Sequence, residues 1–193
     1  MSPKTKEQFE AIRSQTSTVI KDTALELFAE NGFHNTSISQ IAKAARVSKG
    51  LMYNYFDSKE DLLHDIMMDA MDRGTELMND HLKEGVDPKD QLLSLVDGVF
   101  EWIIGNLSYW KLLAALAFQK DVTSQLKLEI LEKSQSYNAI ITDLFRQMGK
   151  AEPEKEAMLI GALMDGIGMQ YMVMPELYPI DEMKELVKKK IIE

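Results

Sequence analysis

Apolar residues recur along this 193-residue chain at helical spacing, and the two-residue alternation typical of strands is absent. The first clear stripe has apolar residues at positions i, i+4, i+7 and i+8: Ile20, Ala24, Leu27 and Phe28. Residues at this spacing lie on one face of a helix. Asn31-Gly32 predicts the end of that helix, because glycine accepts the left-handed conformation without penalty.

Serine residues predict the starts of the next three helices. Ser37 and Gln40 form a capping box, and Ser48 can cap a second short helix. Ser58, followed by Asp61, can cap a longer helix. The apolar stripe of that longer helix consists of Leu62, Leu63, Ile66, Met67 and Ala70. This order of helices is typical of a helix-turn-helix unit, in which the second short helix enters the major groove of DNA.

The rest of the chain also follows helical periodicity. Asp87-Pro88 predicts the start of a helix, and further helices are expected over 108–119, 122–148, 154–174 and 180–192. The helix at 154–174 has a continuous apolar seam formed by Ala157, Ile160, Met164, Ile167 and Tyr171. The last helix carries the apolar residues Met183, Leu186, Val187 and Ile191. The sequence therefore predicts an all-α protein.

The amino-acid composition excludes several classes of functional site. The chain has no cysteine, which excludes disulfides, thiolate zinc sites and thiol nucleophiles. The amino terminus lacks the apolar core of a signal peptide, and the longest apolar run, at 112–118, is far shorter than the roughly 20 residues of a membrane helix. We expect a cytoplasmic protein without a membrane segment.

Charge is distributed unevenly along the chain. The net charge is −9, yet the first 60 residues are nearly balanced. Between positions 34 and 59 the basic side chains outnumber the acidic ones; they are Lys43, Arg46, Lys49 and Lys59, against Asp57 alone. This predicts a small basic surface on an acidic protein, which favours oriented docking on a polyanion.

The segment GFHNTSISQIAKAARVSKGLMYNYFDSKEDLL carries specific motifs, among them Val47-Ser48-Lys49-Gly50 and Tyr55-Phe56. It resembles the amino-terminal domain of the TetR (tetracycline repressor) family of transcriptional regulators over about the first 65 residues. The resemblance implies an amino-terminal three-helix helix-turn-helix DNA-binding domain, which we place at 1–57. It also implies a larger helical ligand-binding and dimerisation domain, which we place at 58–193.

One residue departs from the family pattern. Family members commonly have glycine where this chain has Arg46, in the turn between the two short helices. If this residue is left-handed, its Cβ raises the energy by about 1–2 kcal/mol. Either the turn has another shape here, or Arg46 adds a contact to a DNA phosphate.

Family resemblance and side-chain chemistry together assign the DNA contacts. Phosphate contacts are expected from Lys49, Lys59, Tyr55, Ser37, Ser39 and the backbone amide of Gly50. Base contacts are expected from Leu51, Tyr53 and Asn54. Asn54 can pair with adenine, and Leu51 can contact a thymine methyl. The alternative for the two tyrosines and Leu51 is packing in the core.

The resemblance also implies a homodimer, because two heads about 34 Å apart can read a pseudo-palindromic operator. We place the interface on 154–174 and 180–192, where Gly161, Asp165 and Gly168 share a face. The alternative for this face is packing within one chain. The function implied is that of a ligand-responsive regulator, expected to repress and to be released from its operator by a small-molecule effector.

A lipophilic effector is expected, and aromatic and methionine side chains are the pocket candidates. They are Trp102, Tyr109, Trp110, Phe118, Met164 and Met169. Asp97 and Glu101 could bind a cationic ligand, although a solvated acidic face is the more common explanation for such a pair.

An enzyme and a protein-interaction module are the two alternative functions. An enzyme is disfavoured because the chain has no G-x-S-x-G, GK[ST] or H-E-x-x-H motif. The three histidines, at unhelpful spacings, predict no metal site, and no cofactor is expected. A helical protein-interaction module without DNA binding would explain the acidic body, but it leaves the chemistry between Lys49 and Lys59 unexplained.

Overall fold

The structure, a computed structural model, describes residues 5–117 and 124–193, and within these residues it contains helices and no strand. The helices are α1 (Lys6–Asn31), α2 (Ile38–Ala44), α3 (Lys49–Met52), α4 (Lys59–His81), α5 (Pro88–Gly105), α6 (Leu107–Ala117), α7 (Ser124–Gln147), α8 (Pro153–Val173) and α9 (Ile180–Ile192). The predicted all-α fold is confirmed.

The expected caps fix the ends of the first four helices. Ser37 caps α2 in a capping box with Gln40, Ser48 accepts a hydrogen bond from the Leu51 amide, and Ser58 accepts one from the Asp61 amide. The residue that ends α1, Gly32, has φ +81°, a conformation that favours glycine. Short-range hydrogen bonds therefore define the limits of α2 and α3.

A first group of buried side chains, which we call the head cluster, surrounds α1. Ile20, Ala24 and Phe28 are fully buried on one side of that helix. The other buried members are Phe33, Ile41, Ala42, Ala45, Met52, Phe56, Leu62, Leu63, Ile66, Met67, Ala70, Tyr109, Leu112 and Leu126. Because α4, α6 and α7 also contribute side chains, the head cluster joins the helix-turn-helix to the rest of the chain.

A second group of buried side chains, the body cluster, lies among α4, α5, α7, α8 and α9. Its largest fully buried member is Phe145, and Phe100 is almost as deeply buried. Asp97 on α5 forms ion pairs with Lys184 and Lys188 on α9. These pairs occupy the carboxylate that was considered for a cationic ligand.

The predicted seam of α8 faces the interior of its own chain, with Ala157, Ile160 and Ile167 buried. Among the apolar residues of α9, Leu186 is 57% exposed. Val187 and Ile191 fill the packed positions instead. Residues 186 and 187 are about 100° apart around the helix, so they do not share its packed face.

The predicted boundary at residue 57 falls just before Ser58, the cap of α4. Leu62 and Leu63 of α4 belong to the head cluster, so this packing continues past the boundary. The division into 1–57 and 58–193 stays a prediction. None of the helices in the described part of the chain combines the length and the apolar character needed to span a bilayer.

Candidate nucleic-acid interface

The turn between α2 and α3 is closed by backbone hydrogen bonds. The Val47 amide donates to the Ala42 carbonyl at 2.9 Å, and the Arg46 amide donates to the Lys43 carbonyl at 3.3 Å. Arg46 has φ +57° and is the single non-glycine residue with positive φ in the described residues. The turn therefore keeps the left-handed shape of a glycine turn while carrying an arginine side chain into solvent.

Helix α3 places some of its residues in the core and others on the surface. Met52 is buried, as is Phe56 just beyond the helix, and both belong to the head cluster. Tyr53 is 49% exposed, which excludes the core alternative for this residue. Because α3 ends at Met52, Tyr53 and Asn54 lie in the turn that follows the helix, and both face solvent.

The other predicted contact residues differ in their exposure and in their hydrogen bonds. Ser39, Lys49 and Gly50 are exposed. The Ser37 hydroxyl already takes part in the cap of α2. Leu51 and Tyr55 are half-buried against their neighbours. The structure brings all of these residues to α2, α3 and the turns beside them, and their contacts with DNA stay predictions.

Lys59 has structural partners that the sequence did not predict. Its ammonium donates hydrogen bonds to the carbonyl oxygens of Phe33 at 2.7 Å and Thr36 at 2.9 Å. It also lies 4.3 Å from the centroid of the Phe33 ring. Lys59 therefore ties the start of α4 to the loop between α1 and α2, and its contact with a phosphate stays a prediction.

Arg13 of α1 lies beside the predicted DNA contacts and was missed in the sequence. Its guanidinium donates a hydrogen bond to the carbonyl oxygen of Asn54 at 3.2 Å and lies 5.3 Å from the centroid of the Tyr55 ring. One signal could have indicated it. Arg13 precedes the buried Ile20 by seven residues, so both lie on the same side of the helix.

Three of the pocket candidates form one aromatic cluster between α5 and α6. The ring centroid of Trp102 lies 5.3 Å from that of Tyr109 and 5.1 Å from that of Trp110. The ring centroids of Tyr109 and Trp110 lie 5.8 Å apart. Burial raises the pKa of the Tyr109 hydroxyl far above its ordinary value. The buried indole Nε1 of Trp110 has no hydrogen-bond partner among the described residues.

The remaining pocket candidates do not join this cluster. Met164 packs against the body cluster, and Met169 is exposed on the opposite face of α8. The grouping of Met169 with the aromatic side chains was therefore wrong. Phe118 lies outside the described residues. A cleft of about 90 Å³ adjoins Trp102 and Tyr109 and is bordered by Lys21, Asp69 and Arg73.

The three predicted interface residues of α8 differ in exposure. Gly161 is half-buried, and a Cβ placed there would meet no heavy atom within 4 Å. Asp165 is exposed, although partial desolvation raises the pKa of its carboxyl. Gly168 is buried against α5, with Ile103 Cδ1 3.8 Å from the position of a Cβ. Gly168 was therefore wrongly grouped with an outward-facing surface.

Histidines and carboxylates are dispersed in the described part of the chain, where no group of three could hold a metal ion. His64 Nε2 lies 2.9 Å from Glu129 Oε2, and His81 Nδ1 lies 2.7 Å from Ser94 Oγ. These contacts link α4 to α7 and α4 to α5. The two histidines thus have structural partners.

Residues 20–66 match the family described as bacterial regulatory proteins, tetR family. The fatty acid metabolism regulator protein of Bacillus subtilis is 37% identical over 87 residues, which are 45% of this chain and 45% of that protein. The chain thus aligns with less than half the length of this relative. The similarity is consistent with the head geometry, since the matched segment contains α2, α3 and the turn at Arg46.

Solved structures resemble the whole described fold. The fatty acid degradation regulator FadR from Bacillus halodurans superposes with a TM-score of 0.77 at 23% identity, covering 92% of this chain and 94% of that one. FadR from Bacillus subtilis in complex with stearoyl-CoA gives a TM-score of 0.76 at 24% identity, covering 91% and 97%. At these identities the likeness establishes the fold alone.

The left-handed Arg46 gives a prediction about stability. Replacing Arg46 by glycine should raise the free energy of unfolding by about 0.5–1 kcal/mol. The relief of Cβ strain stabilises the folded chain, and the greater conformational freedom of glycine in the unfolded chain offsets part of this gain. Urea unfolding followed by circular dichroism measures this change. Arg46→Ala is the matched control: it removes the same charge but keeps the Cβ, so no stabilisation is expected. Equal stabilisation by both variants would assign the effect to charge.

Proposed function

We propose that this chain, whose residues 20–66 match the tetR family of bacterial regulatory proteins, is a transcriptional repressor that binds a pseudo-palindromic DNA operator as a homodimer. The observation that carries the proposal is the exposed surface of α3 and its following turn. Lys49, Tyr53 and Asn54 face solvent there, while Met52 and Phe56 anchor the same segment in the head cluster. A buried anchor with an exposed polar surface is what groove recognition requires.

Each exposed side chain on this surface suits a different part of a duplex. The Lys49 ammonium can bind a phosphate, and the Asn54 amide can pair with the N6 and N7 atoms of adenine. Tyr53 offers an aromatic face and a hydroxyl to the groove. Ser37, Ser39, Gly50, Leu51 and Tyr55 complete the proposed contact set. Lys59 supports this surface by holding the loop before α2.

The proposed homodimer uses the outward face of α8. Met158, Ala162, Asp165 and Met169 follow one another at spacings of four, three and four residues, and all are exposed. Val173 extends this stripe and is 72% exposed. A helical seam of this kind, opposite the packed seam of the same helix, fits a second copy of the chain. Leu186 of α9 is the proposed extension of the interface beyond α8.

We also infer a lipophilic effector that binds beside the aromatic cluster. The unpartnered Nε1 of Trp110 could donate a hydrogen bond to an effector oxygen, and the rings offer apolar contact. The adjoining cleft of about 90 Å³ is smaller than the roughly 300–1,000 Å³ typical of ligand pockets. Binding would therefore require α6 to move relative to α1, which would shift the population of DNA-binding states.

The DNA-binding proposal is tested with duplexes that the intact chain selects from a random-sequence pool. Log affinity should fall linearly with log salt, because phosphate contacts release counterions. The double variant Lys49→Ala, Tyr55→Ala should lose at least about tenfold in affinity, and Lys49→Ala alone should reduce the salt slope by about 0.9. Lys83→Ala, an exposed lysine in the loop after α4, is the charge control. Failure of the intact chain to retard any duplex at low salt would favour the protein-interaction module.

The dimer is tested by placing charge on the proposed seam. Met169→Asp combined with Leu186→Asp should convert a dimer of about 44 kDa into a monomer of 22.0 kDa in sedimentation equilibrium. Unpaired carboxylates inside an interface are strongly unfavourable. Leu131→Asp, at an exposed apolar residue of α7, should leave the dimer intact. A strictly monomeric parent chain would contradict the proposal.

The effector site is tested by intrinsic fluorescence, because the two tryptophans of the chain both lie in the aromatic cluster. Titration with stearoyl-CoA should change the emission of both and release the selected duplex. Free coenzyme A, which lacks the acyl chain, is the matched control and should do neither. Trp110→Phe should weaken effector binding while leaving DNA affinity unchanged. Release of DNA by coenzyme A alone would contradict a lipophilic effector.

A further inference from the structure

The amino-terminal part of α1 extends beyond the head cluster. Residues 6–15 are all exposed, and the first fully buried residue of the helix is Ile20. This extension runs beside α3 and the turn after it. A groove of about 360 Å³ separates the two and is lined on one side by Phe9, Ile12 and Arg13, and on the other by Leu51 and Asn54.

Arg13 makes the polar contact across this groove. Its Nη2 donates to the Asn54 carbonyl oxygen at 3.2 Å, a carbonyl that lies just past the end of α3. A backbone carbonyl beyond a helix has no hydrogen bond from that helix, and the guanidinium supplies a donor. The same guanidinium lies 5.3 Å from the Tyr55 ring centroid, within the range of a cation–π interaction.

We propose that Arg13 is a positioning residue for DNA recognition, which fixes the turn after α3 so that Asn54 and Tyr55 meet the duplex in one geometry. This inference rests on the proposed function. A bidentate contact from an asparagine to adenine requires the amide plane to be set by the backbone. Arg13 holds that backbone through the Asn54 carbonyl, and it limits the motion of the neighbouring Tyr55 ring.

The contacts favour positioning over a direct phosphate contact. The guanidinium already binds a carbonyl and stacks near an aromatic ring, and both partners belong to the proposed recognition surface. Arginine suits this double role because its planar group can donate a hydrogen bond at its edge while its face covers a ring. A lysine at the same position would keep the charge but lose the planar group.

The test compares affinity for a selected duplex with affinity for a scrambled duplex of the same length and composition. Arg13→Ala should lower affinity for the selected duplex by about fivefold, as expected for loss of an exposed cation–π pair and one hydrogen bond, and should change binding of the scrambled duplex by less than twofold. The salt slope should stay the same. A slope reduced by about 0.9 would indicate a direct phosphate contact and would overturn the proposal.

Two further variants separate positioning from simple charge and from stability. Arg13→Lys keeps the charge and should recover less than half of the loss; full recovery would overturn the proposal. Arg13→Ala should lose less affinity in a Tyr55→Ala background than in the parent chain, because only the contact with the Asn54 carbonyl then remains to be lost. Independent, additive losses would likewise count against it. Urea unfolding confirms that each variant is folded at the temperature of the binding measurement.

This outcome can be distinguished from failure of the proposed function. If the parent chain binds no duplex at any salt concentration, the proposed function fails. If the parent chain selects a duplex and Arg13→Ala binds it equally well, the function stands and the positioning role of Arg13 is wrong.

Discussion

The buried face of α1 is the constraint on which the rest of the structure depends. Ile20, Ala24 and Phe28 are fully buried, and each of the two large side chains, Ile20 and Phe28, contributes about 1.5–3 kcal/mol when it leaves water. The head cluster around them includes Met52 and Phe56, which anchor α3 and the turn after it, together with Tyr109 and Leu112 from α6. The same cluster therefore joins α6 to the segment that is proposed to contact DNA.

The uneven distribution of charge favours one side of the protein for the approach of DNA. The net charge of −9 arises beyond the first 60 residues, while the head carries the exposed lysines and arginine around α2 and α3. Screening over about 8 Å at physiological salt keeps distant carboxylates from cancelling these local charges. The acidic helices repel a duplex from most of the surface, which leaves the head as the favoured side of approach.

Local signals predicted much of the fold and of the head. The caps at Ser37, Ser48 and Ser58 depend on residues three positions away, so they can be read from the sequence alone. The exposed position of Tyr53 agrees with its expected role as a base contact rather than a core residue. The turn at Arg46 has the left-handed shape that the family pattern implied.

The errors concern contacts between distant parts of the chain. Lys59 binds the Phe33 carbonyl from 26 positions away, and Arg13 binds the Asn54 carbonyl from 41 positions away. No periodic pattern encodes such pairs. Met169 and Gly168 are neighbours that point to opposite surroundings, one to solvent and the other to α5. The choice between them depends on where α5 packs, which helical spacing does not specify.

The length of α1 also connects two distant parts of the structure. Arg13 and Leu25 are twelve residues apart on one uninterrupted helix, or about 18 Å along its axis. Leu25 borders the cleft beside Trp102 and Tyr109, so a tilt of the helix at that cleft also displaces Arg13. A tilt of about 10° around Leu25 would move Arg13 by about 3 Å, close to the rise of one base pair.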